Sequence, residues 1–308
     1  MTSPHAAAVS VAPRLAVLGL GRVGLAYAAA IAAHERVTLA GLIESRHDLR
    51  GFARGIGFDA PVLPSFAKLR ERAEVDAVVV CVPADRRQAQ VEALVHADVP
   101  VLLEGLPEST GTALPPTSWP RLACATPLVL HPLFAHATGL LASGALGAPR
   151  RVSATANVSR VFSSHGAPHG LDVFAHTLPG LLVLLDAWFG PARAVRATGH
   201  RLYADRFDEA QGELETCEGL VAHLECSWSV PDYPQGAYVV EVECEHGRLL
   251  VSDDAFECEL ARACEGMPAG RTRRVLAEEP EPEAVVAVRQ LAVVARPFAA
   301  GIQRGDGL

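Results

Sequence analysis

Short apolar runs alternate with helical patterns over the first third of the chain. Arg14–Leu18 (RLAVL) reads as a buried strand, residues 21–34 as an alanine-rich helix and residues 37–43 (VTLAGLI) as a second strand. A helical pattern over 65–72 precedes the β-branched run 77–82, a helix over 86–97 and a short strand at Val101–Leu103. Strands that are apolar throughout and separated by helices predict a parallel sheet covered on both faces.

Residues 107–120 (PESTGTALPPTSWP) break regular structure and mark a junction, with 122–130 adding a further strand to the first domain. The pattern then changes. A helix is expected over 133–142, an alternating strand over 151–161, and a very apolar helix over 171–189 that Pro179 interrupts. Strand-like runs follow near 194–202, 219–230, 237–244, 248–251 and 256–260, and an amphipathic helix spans about 283–300. Consecutive strands after a helix predict an α+β domain with a largely antiparallel sheet. The expected division is therefore an α/β domain over 1–125 and an α+β domain over 126–308.

Composition removes several function classes. The net charge over 308 residues is −8, and the longest basic cluster is Arg271, Arg273 and Arg274. Nucleic-acid and anionic-membrane binding rest on excess basic charge and are not expected; the cluster reads as a solvated surface patch. No apolar run reaches the roughly 18 residues of a membrane span, and the first ten residues lack signal-peptide character. The seven cysteines include no Cys-x-x-Cys pair and read as free thiols of a cytoplasmic protein. Lys68 is the only lysine beside 26 arginines, so any lysine-dependent mechanism has one candidate.

The clearest chemical motif is Gly19-Leu20-Gly21-Arg22-Val23-Gly24, between the first strand and the first helix. The first glycine permits a tight turn, the second lets a pyrophosphate approach the backbone, and the third lets helix and strand pack closely. The helix N-terminus then offers free N–H groups to phosphate. Glu44 follows the second strand, where a carboxylate can accept hydrogen bonds from ribose hydroxyls. That acid favours NAD, since it would repel a 2′-phosphate; Arg46 could instead pair with that phosphate and admit NADP.

With these residues the chain resembles the Gfo/Idh/MocA family of NAD(P)-dependent oxidoreductases, and the resemblance covers nearly its whole length. VDAVVVCVP (75–83) is similar to the family's fourth strand, whose final pair, here Val82-Pro83, lies over the cofactor. EALVHADVPVLLEGLP (92–107) is similar to the following helix and strand. HPLFAHATGLLASGALGAPRRV (131–152), GLVAHLECSWSVP (219–231) and VEVECEHGRLLVSD (240–253) resemble segments of the second domain. The resemblance implies a Rossmann domain, then a substrate and oligomerisation domain whose sheet face is covered by another copy. It also implies hydride transfer to or from a small carbonyl, imine or alcohol, sugar-like in some members.

The family's fifth strand ends Glu-Lys-Pro; the matching residues are Glu104, Gly105 and Leu106. The resemblance places Glu104 toward the nicotinamide ribose, while the lysine is absent. Lys68, on a helix before the fourth strand, reads as a solvated surface residue. Arg87 falls where the family often has histidine. The resemblance also implies an Asp and a His four residues apart on a helix, matched by Asp172 and His176, with the imidazole handling a proton. A shifted register, with His176 in the Asp position and Gly180 in the His position, keeps His176 on the same face. His165 and His169 lie nearby and His131 is a further polar candidate, but spacing alone supplies no convergent geometry, so no metal is expected. A non-catalytic nucleotide-binding relative, regulatory or scaffolding, is the alternative.

Overall fold

The computed structural model describes residues 12–105, 121–125, 127–159, 172–231, 237–263, 267–275, 294–295 and 297–302. The chain divides into two compact units, one of residues 1–125 with 284–308 and one of residues 126–283.

The first unit holds β1 (Arg14–Leu18), α1 (Arg22–Ala32), β2 (Thr38–Ile43), α2 (His47–Ile56), β3 (Val62–Leu63) and α3 (Phe66–Arg70). It continues through β4 (Ala77–Val80), α4 (Ala84–His96), β5 (Val101–Leu103) and β6 (Leu122–Cys124). The six strands form one sheet in the order β3-β2-β1-β4-β5-β6, and every pairing is parallel. β1 and β4 are buried along almost their whole length, as strands covered on both faces must be. The order reverses direction between β1 and β4, which creates a switch point at the carboxyl ends of those strands. Residues 294–295 and 297–302 are helical, with Val294, Ala295, Phe298 and Ala299 buried.

The second unit holds α5 (Pro127–Leu130), α6 (Pro132–Ala142), β7 (Pro149–Asn157), α7 (Val173–His176), α8 (Leu178–Phe189), β8 (Ala192–His200) and β9 (Glu209–Thr216). Its remaining strands are β10 (Val221–Ser227), β11 (Ala237–Cys244), β12 (Gly247–Ser252), β13 (Ala255–Leu260) and β14 (Gly270–Val275). They form an eight-stranded sheet in the order β14-β13-β12-β11-β7-β10-β9-β8. All pairings are antiparallel except β7 with β10. One face is apolar. Leu133, Phe134, Ala137 and Leu140 of α6 and Leu181, Leu184 and Leu185 of α8 bury it together with Val152, Ala154, Val240, Val242, Leu249 and Phe256.

The opposite face differs from the apolar surface expected to need cover. Its cross-strand contacts are ionic: Arg248 Nε lies 2.6 Å from Glu241, Arg273 Nε 3.1 Å from Glu257, and His223 Nδ1 3.5 Å from Glu213. The basic cluster 271–274 lies on β14, an edge strand, where charged side chains discourage further strand pairing. The helix expected over 171–189 is two helices. Thr177 separates α7 from α8, and Pro179 sits in the first turn of α8, where a missing N–H costs nothing.

Candidate functional site

The carboxyl edge of the parallel sheet is regular. Gly19 N donates to Ile43 O at 2.8 Å, Cys81 N to Leu18 O at 2.7 Å, Glu104 N to Val80 O at 3.0 Å and Ala125 N to Leu103 O at 2.8 Å. The residue just past each strand therefore stands in one row, with the glycine loop at the switch point.

The three glycines of the loop have different reasons. A Cβ on Gly24 would lie 1.8 Å from Gly19 O, and one on Gly19 would lie 2.8 Å from Cys81 O and 3.0 Å from Val82 Cγ1. Loop, α1 and the end of β4 thus touch through bare backbone. A Cβ on Gly21 would meet nothing within 4 Å. No packing inside the protein excludes a side chain there, so Gly21 keeps open the space a pyrophosphate would fill. Gly21 is also the N-cap of α1, which has neither a side-chain cap nor an acid in its first turn. Arg22 and Val23 open that helix, and its first N–H groups face the space with the positive end of the helix dipole.

Glu44 is buried beside this loop. Its Oε2 accepts from Leu20 N at 2.9 Å, and its Oε1 accepts from Arg46 N at 3.0 Å. Oε1 also accepts from the Ser45 hydroxyl at 3.4 Å, so Oε2 is the oxygen that retains a lone pair for a further donor such as a ribose hydroxyl. Arg46 is the N-cap residue of α2 and turns away: its Nε and Nη2 donate to Asp48 at 3.2 and 2.5 Å. The carboxylate of Asp48 holds the guanidinium pKa above its ordinary value and occupies the fork that would grip a 2′-phosphate. Pro83 caps α4, and Val82 lies against Gly19.

Residues 13–105 match the family described as an oxidoreductase family with an NAD-binding Rossmann fold. This match is to the Gfo/Idh/MocA family model and spans the parallel-sheet unit alone.

The matched residues include the glycine loop, Glu44 and Glu104. No curated protein sequence matches the chain. Solved structures share its fold across both units. A levoglucosan dehydrogenase in complex with NADH and levoglucosan has 15% identity and a TM-score of 0.77, covering 96% of this chain and 91% of that one. A UDP-N-acetylglucosamine 3-dehydrogenase from Acidithiobacillus ferrooxidans has 22% identity and a TM-score of 0.73, with coverage of 96% and 90%. A myo-inositol dehydrogenase from Corynebacterium glutamicum has 16% identity and a TM-score of 0.71, also with coverage of 96% and 90%.

At the end of β5, Glu104 Oε2 accepts from the hydroxyl of Tyr27 at 2.7 Å. Burial raises the Glu104 pKa, while Tyr27 and the charge of Arg87 oppose that rise. Arg87 is the residue that falls where the resembling family often has histidine, whereas Tyr27 has no place in the motif reading. Tyr27 is the one residue of α1 with a polar tip among its buried positions, which is the signal that marks it. Lys68 is far from this chemistry in kind: its Nζ pairs with Glu71 at 2.8 Å on exposed α3.

In the second unit, Asp172 is the N-cap of α7. Its Oδ1 accepts from Phe174 N at 3.0 Å and Ala175 N at 3.1 Å. This oxygen is committed to holding the four-residue helix that carries His176. The His176 ring is exposed and meets Trp228 edge-on at 5.8 Å, and Trp228 Nε1 donates to Thr177 Oγ1 at 2.7 Å. His131 is buried at the N-cap of α6, and burial lowers its pKa. His165, His169 and Leu106 lie outside the described residues. Among the described residues, no cluster of three His, Cys, Asp or Glu side chains could hold a metal.

Proposed function

We propose that the chain is an NAD-dependent oxidoreductase acting on a small polyhydroxylated alcohol or its carbonyl counterpart. The observation that carries this reading is the open space above Gly21, bordered by the free N-terminus of α1 and the buried carboxylate of Glu44. When bound, the nicotinamide supplies the hydride acceptor or donor. Glu44 binds ribose hydroxyls, and Arg46, taken up by Asp48, leaves NAD favoured over NADP. Glu104 sits at the ribose side of the same edge. His176, held on α7 by the capping carboxylate of Asp172, takes or returns the proton of the reacting oxygen. The fold shared with sugar and inositol dehydrogenases supports the substrate class. Glu104 and Arg87 together at the sheet edge favour catalysis over a purely regulatory role.

The test is direct. NADH fluorescence should change on titration with the protein, and Gly21→Trp should abolish the change. No response to NADH or NADPH at millimolar concentration sinks the reading. Turnover is then sought with myo-inositol, levoglucosan and related polyols, with His176→Ala as control; unchanged turnover in that variant removes the proton role.

Two further parts of the reading concern setting. The charged outer face of the eight-stranded sheet is the surface through which copies associate, so light scattering should show an oligomer that weakens as salt rises. The described cysteines are free thiols, and no described helix is long and apolar enough to cross a membrane, which supports a cytoplasmic placement.

A further inference from the structure

Gly105 stands where the resembling family carries lysine, yet the edge of the sheet does not lack a cation. Gly105 adopts φ +78°, a left-handed conformation that strains any residue with a side chain. A Cβ built there would lie 3.8 Å from Arg87 Nη1. The guanidinium thus stands beside the point from which a lysine side chain would have started.

Arg87 lies in the first turn, where a cation opposes the helix dipole. Its Nε is closed off from solvent, so the side chain is directed inward. Its charge reaches groups at the ends of three neighbouring strands. Burial raises the pKa of Cys81 after β4, Glu104 after β5 and Cys124 in β6, and Arg87 opposes the rise at each. These strand ends line the side of the switch point beyond the glycine loop, where ligands of doubly wound sheets bind.

We propose that Arg87 is a catalytic residue that supplies from α4 the positive charge β5 no longer carries, binding the reacting oxygen of the substrate. This rests on the oxidoreductase reading above. In the oxidative direction the C–H bond breaks with its electron pair leaving as hydride to the nicotinamide dinucleotide. The O–H proton passes to a base, and C–O becomes C=O. The guanidinium neither gives nor takes a proton; it offsets the negative charge that grows on oxygen as the proton leaves. Its planar fork can also grip a carboxylate, so hydroxy acids join neutral polyols as substrates.

The test uses the full chain with NADH and two variants, Arg87→Gln and Arg87→Lys. L-tartrate is the probe, titrated into the protein–NADH complex and followed by NADH fluorescence. Wild type should bind tartrate, Arg87→Gln should bind it at least about tenfold more weakly, and Arg87→Lys should fall between. NADH affinity should change less than about twofold in both. With an active polyol, Arg87→Gln should lower kcat about a hundredfold, the scale of losing one charge-stabilising donor. Should Arg87→Gln fail to fold, Arg87→Lys, which keeps the charge, carries the comparison, with an intermediate loss expected. Unchanged tartrate affinity and kcat in the folded variants overturn the proposal. So does wild-type protein that binds NADH but neither binds tartrate nor turns over a polyol. Failure of wild type to bind NADH instead sinks the oxidoreductase reading itself.

Discussion

The hydroxyl of Tyr27 donates to Glu104 Oε2 at 2.7 Å, joining α1 to the end of β5 across 77 residues of sequence. Tyr27 has no exposed surface, and burial raises the pKa of both groups. Tyr27→Phe leaves the carboxyl without this donor and should cost about 1–3 kcal/mol. The bond favours the ionised carboxylate, so its loss raises the Glu104 pKa further. Above that pKa the folded state must hold a less supported charge. The destabilisation should therefore be larger at pH 8 than at pH 5, read by chemical denaturation at both. An equal loss at the two pH values would show that the Tyr27 bond does not bias the ionisation of Glu104 between them.

Gly21 and Gly24 should separate binding from folding. Gly24→Ala forces a methyl group into Gly19 O and should destabilise the protein by at least about 2 kcal/mol. Gly21→Ala meets only open space and should change stability by less than about 1 kcal/mol. It should nevertheless weaken NADH binding about tenfold, or about 1.4 kcal/mol. Thermal melts and NADH titrations on the same samples check both; full NADH affinity in Gly21→Ala would mean the space is not the pyrophosphate site.

Cofactor choice should depend on Asp48. Its carboxylate accepts two hydrogen bonds from Arg46 and so keeps the guanidinium from a 2′-phosphate. Asp48→Ala frees Arg46, and the preference for NADH over NADPH should narrow about tenfold, the scale of a charge-assisted hydrogen bond. Parallel titrations with the two cofactors give the ratio, and an unchanged ratio would remove Arg46 from the selectivity argument.

Asp253, in the turn between β12 and β13, has its pKa pushed from 3.8 up to about 6, chiefly by burial. Between those values the unfolded chain holds fewer protons at this site than the folded one. Stability from this group is thus complete below about pH 4 and falls as pH rises toward 6. The full shift corresponds to about 3 kcal/mol. Asp253→Asn keeps an oxygen to accept from Tyr238 N at 3.3 Å and carries no charge. The variant should melt higher than wild type at pH 7 and close to it at pH 4; the reverse pattern would mean that Asp253 folds ionised.

Local signals made much of this legible and topology hid the rest. β1 and β4 are apolar from end to end, and the glycine loop with Glu44 is a short-range pattern, so both could be read from spacing. β3 has two residues, too few for a pattern. β9 (EAQGELET) buries Ala210, Leu214 and Thr216 among polar neighbours, and β14 (GRTRRV) is an edge strand whose Arg271 and Arg273 pair with Glu257. Neither strand carries the apolar run that announces one. The cluster of Tyr27, Arg87 and Glu104 draws on α1, α4 and β5, and no local spacing encodes which side chains meet where a parallel sheet ends. The capping role of Asp172 is likewise set by where α7 begins: one of its oxygens accepts from Phe174 N and Ala175 N, which its spacing from His176 does not encode.

The described helical residues 294–295 and 297–302 group with the first unit although they follow every described strand of the second. A ribosome making this chain therefore releases the glycine loop well before the buried Val294, Ala295, Phe298 and Ala299, with the eight-stranded sheet in between. The first unit is thus discontinuous in sequence, and a fragment ending at residue 125 would lack these four buried side chains.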